Sequence, residues 1–219
     1  MPRLAPLGDC ALLVDWGQRL DPGVNAEVHR LARRIQAAGI PGLRDVVPAY
    51  ASLAVHWDPA DERPFGQWEA RIERLLQATG ADDGSAERRI AIPVRYGGEG
   101  GPDLEDVAGR SGLSPAEFAL RHARGSYRVF MLGFTPGFPY LGGMDPALAA
   151  PRRETPRASV PAGSVGIAGL QSGIYPVASP GGWQIIGRTE ARLFDPDRAE
   201  PCLLRPGDSV RFVDVEPAP

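Results

Sequence analysis

Phe130-Met131-Leu132-Gly133-Phe134-Thr135-Pro136-Gly137-Phe138-Pro139-Tyr140-Leu141-Gly142-Gly143 decides how the second half of this chain is read. An apolar, β-prone run from Tyr127 to Leu132 leads directly into glycines, prolines and aromatics. Proline fixes φ and glycine allows close backbone approach, so the segment after Leu132 is expected to be a rigid loop. That loop should project Phe134, Phe138 and Tyr140. Projecting aromatics mark a binding surface; the same rings could instead fill the mouth of a barrel.

Downstream the pattern is many short strands broken by Gly and Pro, with Gly163–Ala168, Trp183–Ile186 and Ser209–Val215 as the clearest. Such a run argues a barrel or a sandwich. Upstream, Arg89–Tyr96 reads as a strand and Asp103–Arg110 as a short helix. Ser114-Pro115-Ala116-Glu117 has the form of a capping box with Pro at the first helical position, starting a helix that runs to about Ala123.

The first part of the chain has a different texture. Residues 1–87 hold 8 Gly and 7 Pro, whereas residues 88–219 hold 19 Gly and 16 Pro. Cys10–Trp16 reads as a strand. Asp21-Pro22 suits an N-cap and N1, and Val24, Val28, Leu31 and Ile35 fall on one helical face that Gly39 ends. Val46-Val47-Pro48 and Ser52–Trp57 read as extended, and Phe65, Trp68, Ile72, Leu75 and Leu76 mark a second amphipathic helix. This order points to a small α+β domain, with ferredoxin-like topology the expectation. The polar stretch Gly80-Ala81-Asp82-Asp83-Gly84-Ser85 is the natural linker. The expected domains are therefore residues 1–84 and 85–219.

Composition excludes several functions. The 219 residues carry a net charge of −3, which is no footprint for nucleic acid or an anionic membrane. Cys10 and Cys202 are too few for a disulfide framework and read as free thiols. No apolar run is long enough to span a bilayer, and the N-terminal run Ala11–Val14 is too short for a signal peptide, so a cytoplasmic location is expected. Gly97-Gly98-Glu99-Gly100-Gly101 lacks the Lys-Ser/Thr of a phosphate loop, and Gly163-Ser164-Val165-Gly166 is not a nucleophile elbow. The three histidines, His29, His56 and His122, are dispersed, so no metal site is expected.

Polar candidates cluster after the aromatic loop. Arg152, Arg153 and Arg157 form a basic spot whose forks suit carboxylate or phosphate, or which Glu154 could neutralise in a solvated loop. Ser164, Gln171, Ser172, Tyr175, Gln184 and Arg188 stand among glycines that leave backbone donors accessible; turn chemistry in a barrel would also explain them.

Several long motifs occur in one order: Leu132–Gly142, Val160–Gly166, Ser179-Pro180-Gly181-Gly182-Trp183, Leu193-Phe194-Asp195-Pro196 and Arg205–Phe212. Ile92-Pro93-Val94, Gly98 and Gly101-Pro102-Asp103-Leu104 precede them. Together they resemble the B-subunit family of bacterial 5-oxoprolinase, also called the KipI or allophanate hydrolase subunit 1 family. The resemblance runs from about Ile90 to Val213.

The resemblance implies a cyclophilin-like all-β barrel after a small α/β domain. It implies one component, inactive alone, of an ATP-dependent 5-oxoprolinase that opens the lactam of 5-oxoproline to L-glutamate. The implied partners are a second cyclophilin-like subunit, of the C-subunit type, and a deacetylase-like barrel subunit, of the A-subunit type. ATP would be the co-substrate. Phe134, Pro136, Phe138, Tyr140, Arg152, Arg157, Ser164, Gln171, Tyr175, Gln184 and Arg188 are the candidates for substrate or nucleotide binding. His122, which could titrate near neutrality, and Arg188 are the candidates for a catalytic role. The alternative is a regulatory module that docks on a sensor histidine kinase and inhibits it.

Overall fold

A computed structural model describes residues 2–17, 21–78 and 88–215. The chain divides into two compact units, residues 1–86 and 87–219. The linker expected over Gly80–Ser85 lies outside the described residues.

Unit 1 is one four-stranded sheet with two helices. Its elements are β1 (Arg3–Pro6), β2 (Ala11–Asp15), α1 (Pro22–Ala37), β3 (Leu43–Pro48), β4 (Ser52–Trp57) and α2 (Phe65–Gln77). The strand order is β1-β2-β4-β3, every pair antiparallel. Local chemistry starts α1 as expected: the Asp21 carboxylate accepts from the Gly23 and Val24 amides at 2.7 and 3.0 Å. Val28, Leu31 and Ile35 then bury against Leu12, Val14, Leu53 and Val55 of the sheet. The ring of Trp68 stacks on Trp57 at 4.8 Å, fixing α2. A ferredoxin-like unit ends its sheet with a strand after the second helix. Here the edge beside β2 is β1, which precedes it in the chain. That four-residue strand ends in Pro and carries too little periodicity to be seen in sequence. His29 is also buried, deeper than its place off the apolar stripe suggests.

Unit 2 is a closed seven-stranded barrel of order β10-β7-β6-β13-β5-β12-β9. The strands are β5 (Arg89–Tyr96), β6 (Tyr127–Leu132), β7 (Pro139–Gly142), β9 (Ser164–Ala168), β10 (Gln171–Ile174), β12 (Gln184–Arg188) and β13 (Ser209–Asp214), while β8 (Arg157–Val160) and β11 (Ser179–Gly181) form a separate two-stranded ribbon. The β5–β13 pair is parallel and the remaining pairs are antiparallel. The unit is not purely β: α3 (Leu104–Arg110) and α4 (Pro115–Arg124) pack on the barrel and give up Leu104, Val107 and Phe118 to its core. Half of the capping box forms. The Ser114 hydroxyl accepts from the Glu117 amide at 3.2 Å, but Glu117 turns to Arg121 at 2.7 Å instead of reaching back.

The Gly/Pro-rich stretch is not one long loop. A tight turn over residues 133–138 joins β6 to β7, closed by Gly133 N–H to Phe138 O at 3.1 Å and Phe138 N–H to Thr135 O at 3.1 Å. Gly142 is needed inside β7, because a Cβ there would sit 2.2 Å from the Phe130 ring. The barrel interior is filled by Val94, Val129, Leu141, Val165, Ile167, Ile174 and Ile186.

Candidate functional site

The β6–β7 turn sorts its aromatics into two roles. Phe134 stands 63% exposed, and with φ at 65° it is the described non-glycine residue held in the left-handed region. Phe138, expected to project, is instead buried at 1%. It is the hub of an aromatic nest, with ring centroids 5.7 Å from Phe134, 4.9 Å from Tyr140, 5.2 Å from Tyr175 and 5.5 Å from Trp183. These tilted and edge-to-face pairs are the geometry aromatic quadrupoles favour. The nest lies over Val160, Ala168 and Ile185, a cluster separate from the main barrel core.

Tyr140 and Tyr175 bring hydroxyls to this nest. Burial raises the pKa of both, and the nearby charge of Arg152 opposes the rise in each case. The Trp183 backbone amide also hydrogen bonds to the Tyr175 hydroxyl. Gly181 makes room for that hydroxyl: a Cβ there would lie 2.2 Å from it.

The segment carrying Arg152 is strapped down from both sides. The Gln184 side-chain amide donates to Pro151 O at 3.0 Å, and Arg153 N–H donates to Gly182 O at 2.8 Å. Asp103 then takes two of the three arginines. Arg157 forks onto it at 2.9 and 2.7 Å, Arg153 reaches it at 3.0 Å, and Ile185 N–H donates to it at 2.6 Å. Asp103, not Glu154, is therefore the counter-charge. In sequence Asp103 reads only as a helix start, since nothing local ties it to residues fifty positions on. Arg152 forms no ion pair among the described residues.

The other candidates are placed as follows. Pro136 is exposed in the β6–β7 turn, and Gln171 is half-buried at the start of β10. Ser164 is buried, its carbonyl accepting from Tyr175 N–H at 2.9 Å. Arg188 pairs with Ser164 across β12 and β9 and is exposed to solvent.

His122 belongs to a different environment. It is fully buried, with Nδ1 at 2.7 Å from the Tyr96 hydroxyl and Nε2 at 2.9 Å from the Ser172 hydroxyl, which in turn lies 3.3 Å from Gly166 O. Donor counting fixes the chain: Tyr96 O–H donates to Nδ1, Nε2–H to Ser172, and Ser172 O–H to Gly166 O. Every group is satisfied with the imidazole neutral. Burial lowers its pKa to about 3, so it does not titrate near neutrality as expected. A serine beside a histidine suggests a nucleophile, but both are sealed from solvent, and no substrate carbonyl reaches either. Among the described residues no group of His, Cys, Asp and Glu could hold a metal ion, and no helix is long and apolar enough to cross a membrane.

Comparison with known proteins fits this architecture. Residues 2–204 match the family model for the carboxyltransferase domain, subdomain C and D. The chain is 47% identical to the B subunit of 5-oxoprolinase from Bacillus subtilis (strain 168), covering 97% of this chain and 92% of that protein. It is 44% identical to the B subunit of 5-oxoprolinase from Escherichia coli O157:H7, covering 94% and 93%. The crystal structure of TTHA0988 superposes with a TM-score of 0.82 at 40% identity; it covers all of this chain, which spans only 41% of that longer one.

Proposed function

Because the chain belongs to the 5-oxoprolinase B-subunit family, within the carboxyltransferase subdomain C and D group, we propose that it is one subunit of an ATP-dependent enzyme that opens 5-oxoproline to L-glutamate. In this reading unit 1 is a ferredoxin-like sheet with its edge strand moved to the N-terminus, unit 2 is a cyclophilin-like barrel, and the complex works in the cytoplasm. Its partners are a second cyclophilin-like subunit, and with it a deacetylase-like barrel subunit.

The observation that carries the site is Arg152, without an ion pair among the described residues and close enough to Tyr140 and Tyr175 for its charge to act on both, in a nest that also holds the exposed Phe134 ring. 5-Oxoproline is a small, flat lactam with one carboxylate. Arg152 suits the carboxylate, and an aromatic wall suits the ring face. The Tyr140 hydroxyl, on a half-buried side chain that keeps it neutral, can donate to the lactam oxygen. An amide carbonyl resists water; transfer of the γ-phosphoryl of ATP to its oxygen makes it a leaving group. ADP leaves; one water adds at that carbon and the C–N bond opens, the ring nitrogen taking a proton, to give an acyl phosphate, and a second water cleaves that to glutamate and phosphate. Charge develops on the lactam oxygen along this path, where an O–H donor acts, while Arg152 holds the carboxylate. The sequence has no phosphate loop, and the described residues offer no exposed nucleophile–base pair. Both facts support a site completed by other subunits.

The test is glutamate release from 5-oxoproline and ATP by the purified chain alone and with its co-expressed partner subunits. Glutamate only in the complete mixture supports the reading. Full activity of the chain alone overturns the shared site, and none in any mixture overturns the enzyme. In that last case the exposed Phe134 favours docking on a sensor histidine kinase, tested by inhibition of its autophosphorylation.

A further inference from the structure

We propose that unit 2 carries a second site, a binding groove for phosphate oxyanions on the outer wall of the barrel, distinct from the aromatic nest. The groove has a volume of about 530 Å³ and lies where β5, β13 and the end of α4 meet. That is within the 300–1,000 Å³ range of small-molecule sites.

Strand register explains the groove. β5 and β13 are parallel, with Ser209 paired to Arg89 and Arg211 to Ala91. Residues two apart share a face, so Arg89, Ala91, Ser209 and Arg211 all line the outside of the barrel while Val210 and Phe212 point into its core. Small Ala91 leaves the space beside Arg211 open. The chain leaving α4 closes the other side with Arg124, Gly125 and Ser126.

Three guanidiniums and two hydroxyls thus line one concavity, and among the described residues no acidic side chain does. Arg124 and Arg211 make no ion pair among the described residues. Arg128 adds to the positive field. It pairs across β6 and β13 with Ser209, and its Nε is shielded from solvent without a hydrogen-bond partner among the described residues. Asp208, the carboxylate next to Ser209 in the chain, is engaged elsewhere, accepting from Arg205 N–H at 2.7 Å and lying 3.5 Å from Arg88 Nε. On a chain with net charge −3 such a local excess of cations is not a by-product of composition. Planar arginine forks and serine hydroxyls are the donors that tetrahedral oxyanions take, and a groove of this volume fits a chain of phosphates rather than one ion.

The site stands apart from the lactam-opening reading, since it can bind phosphate whether or not the complex makes glutamate. The experiment is calorimetric titration of the full chain with tripolyphosphate and, separately, with ATP. Arg124→Ala/Arg211→Ala is compared with Arg110→Ala/Arg121→Ala, which removes the same charge from helix surfaces of the same unit. Expected is saturable tripolyphosphate binding, weakened by salt, that the groove variant reduces at least tenfold and the control leaves within twofold. Equal or tighter ATP binding with the same sensitivity assigns the groove to a nucleotide. Binding of tripolyphosphate alone assigns it to free oligophosphate. No binding of either probe, or equal loss in both variants, overturns the proposal.

Discussion

Arg157 forks onto the Asp103 carboxylate with both contacts under 3 Å, across 54 positions of sequence. This contact, joined by Arg153, ties the strap that carries Arg152 to the start of α3. It releases Arg152 from any local counter-charge, so the electrostatics of the nest depend on a residue outside it.

Asp103→Ala should be the most destabilising single change in the strap. Breaking a buried ion pair costs about 3–5 kcal/mol. Arg153 and Arg157 keep some solvent contact, so a loss of about 2–3 kcal/mol is expected in urea unfolding. Arg153→Ala alone should cost no more than about 1 kcal/mol, because the Arg157 fork remains.

Phe134 and Phe138 should separate binding from stability. Phe138→Ala empties the hub of the nest and should cost about 3–5 kcal/mol. Phe134→Ala loses one exposed ring contact, no more than about 1 kcal/mol. It should nevertheless lower glutamate release by the assembled complex. An unchanged rate with the Phe134 variant would remove that ring from the site.

Arg152→Ala should leave the thermal midpoint unchanged, since the residue is exposed. If it holds the substrate carboxylate, kcat/KM of the complex should fall roughly 10–150-fold, the worth of a charge-assisted hydrogen bond. Arg152→Lys, which keeps charge but not the fork, should recover only part. Steady-state kinetics with varied 5-oxoproline decide this.

His122 should make stability fall in acid. Its pKa lies near 3 in the folded chain, against an ordinary 6.5. Below pH 6.5 the unfolded chain binds a proton that the folded chain does not, so stability is lost as pH falls from 6.5 toward 3, by at most about 1.4 kcal/mol per pH unit. Above pH 6.5 this contribution is flat. Imidazole NMR of the folded protein should show His122 neutral at pH 5, and a charged ring there would overturn the assignment.

Elements whose signals are local were legible in the chain alone. The Asp21 and Ser114 caps, the stripe on α1 and the alternation in β5, β6 and β13 each depend on residues within a few positions, so periodicity and capping chemistry suffice to read them. The aromatic turn and the arginine strap also stand out from composition and spacing. The rest depended on packing between distant segments. That Phe138 turns inward, that β7 lies inside a Gly/Pro-rich stretch, and that β1 supplies the edge of the first sheet all follow from what packs against them. His122 is a neutral core group because barrel closure places Ser172 on one nitrogen and Tyr96 on the other. Arg152 is left free because Asp103 claims its neighbours. Burial and long-range pairing fix charge state and availability, and those are properties of the closed barrel that no local window of sequence contains.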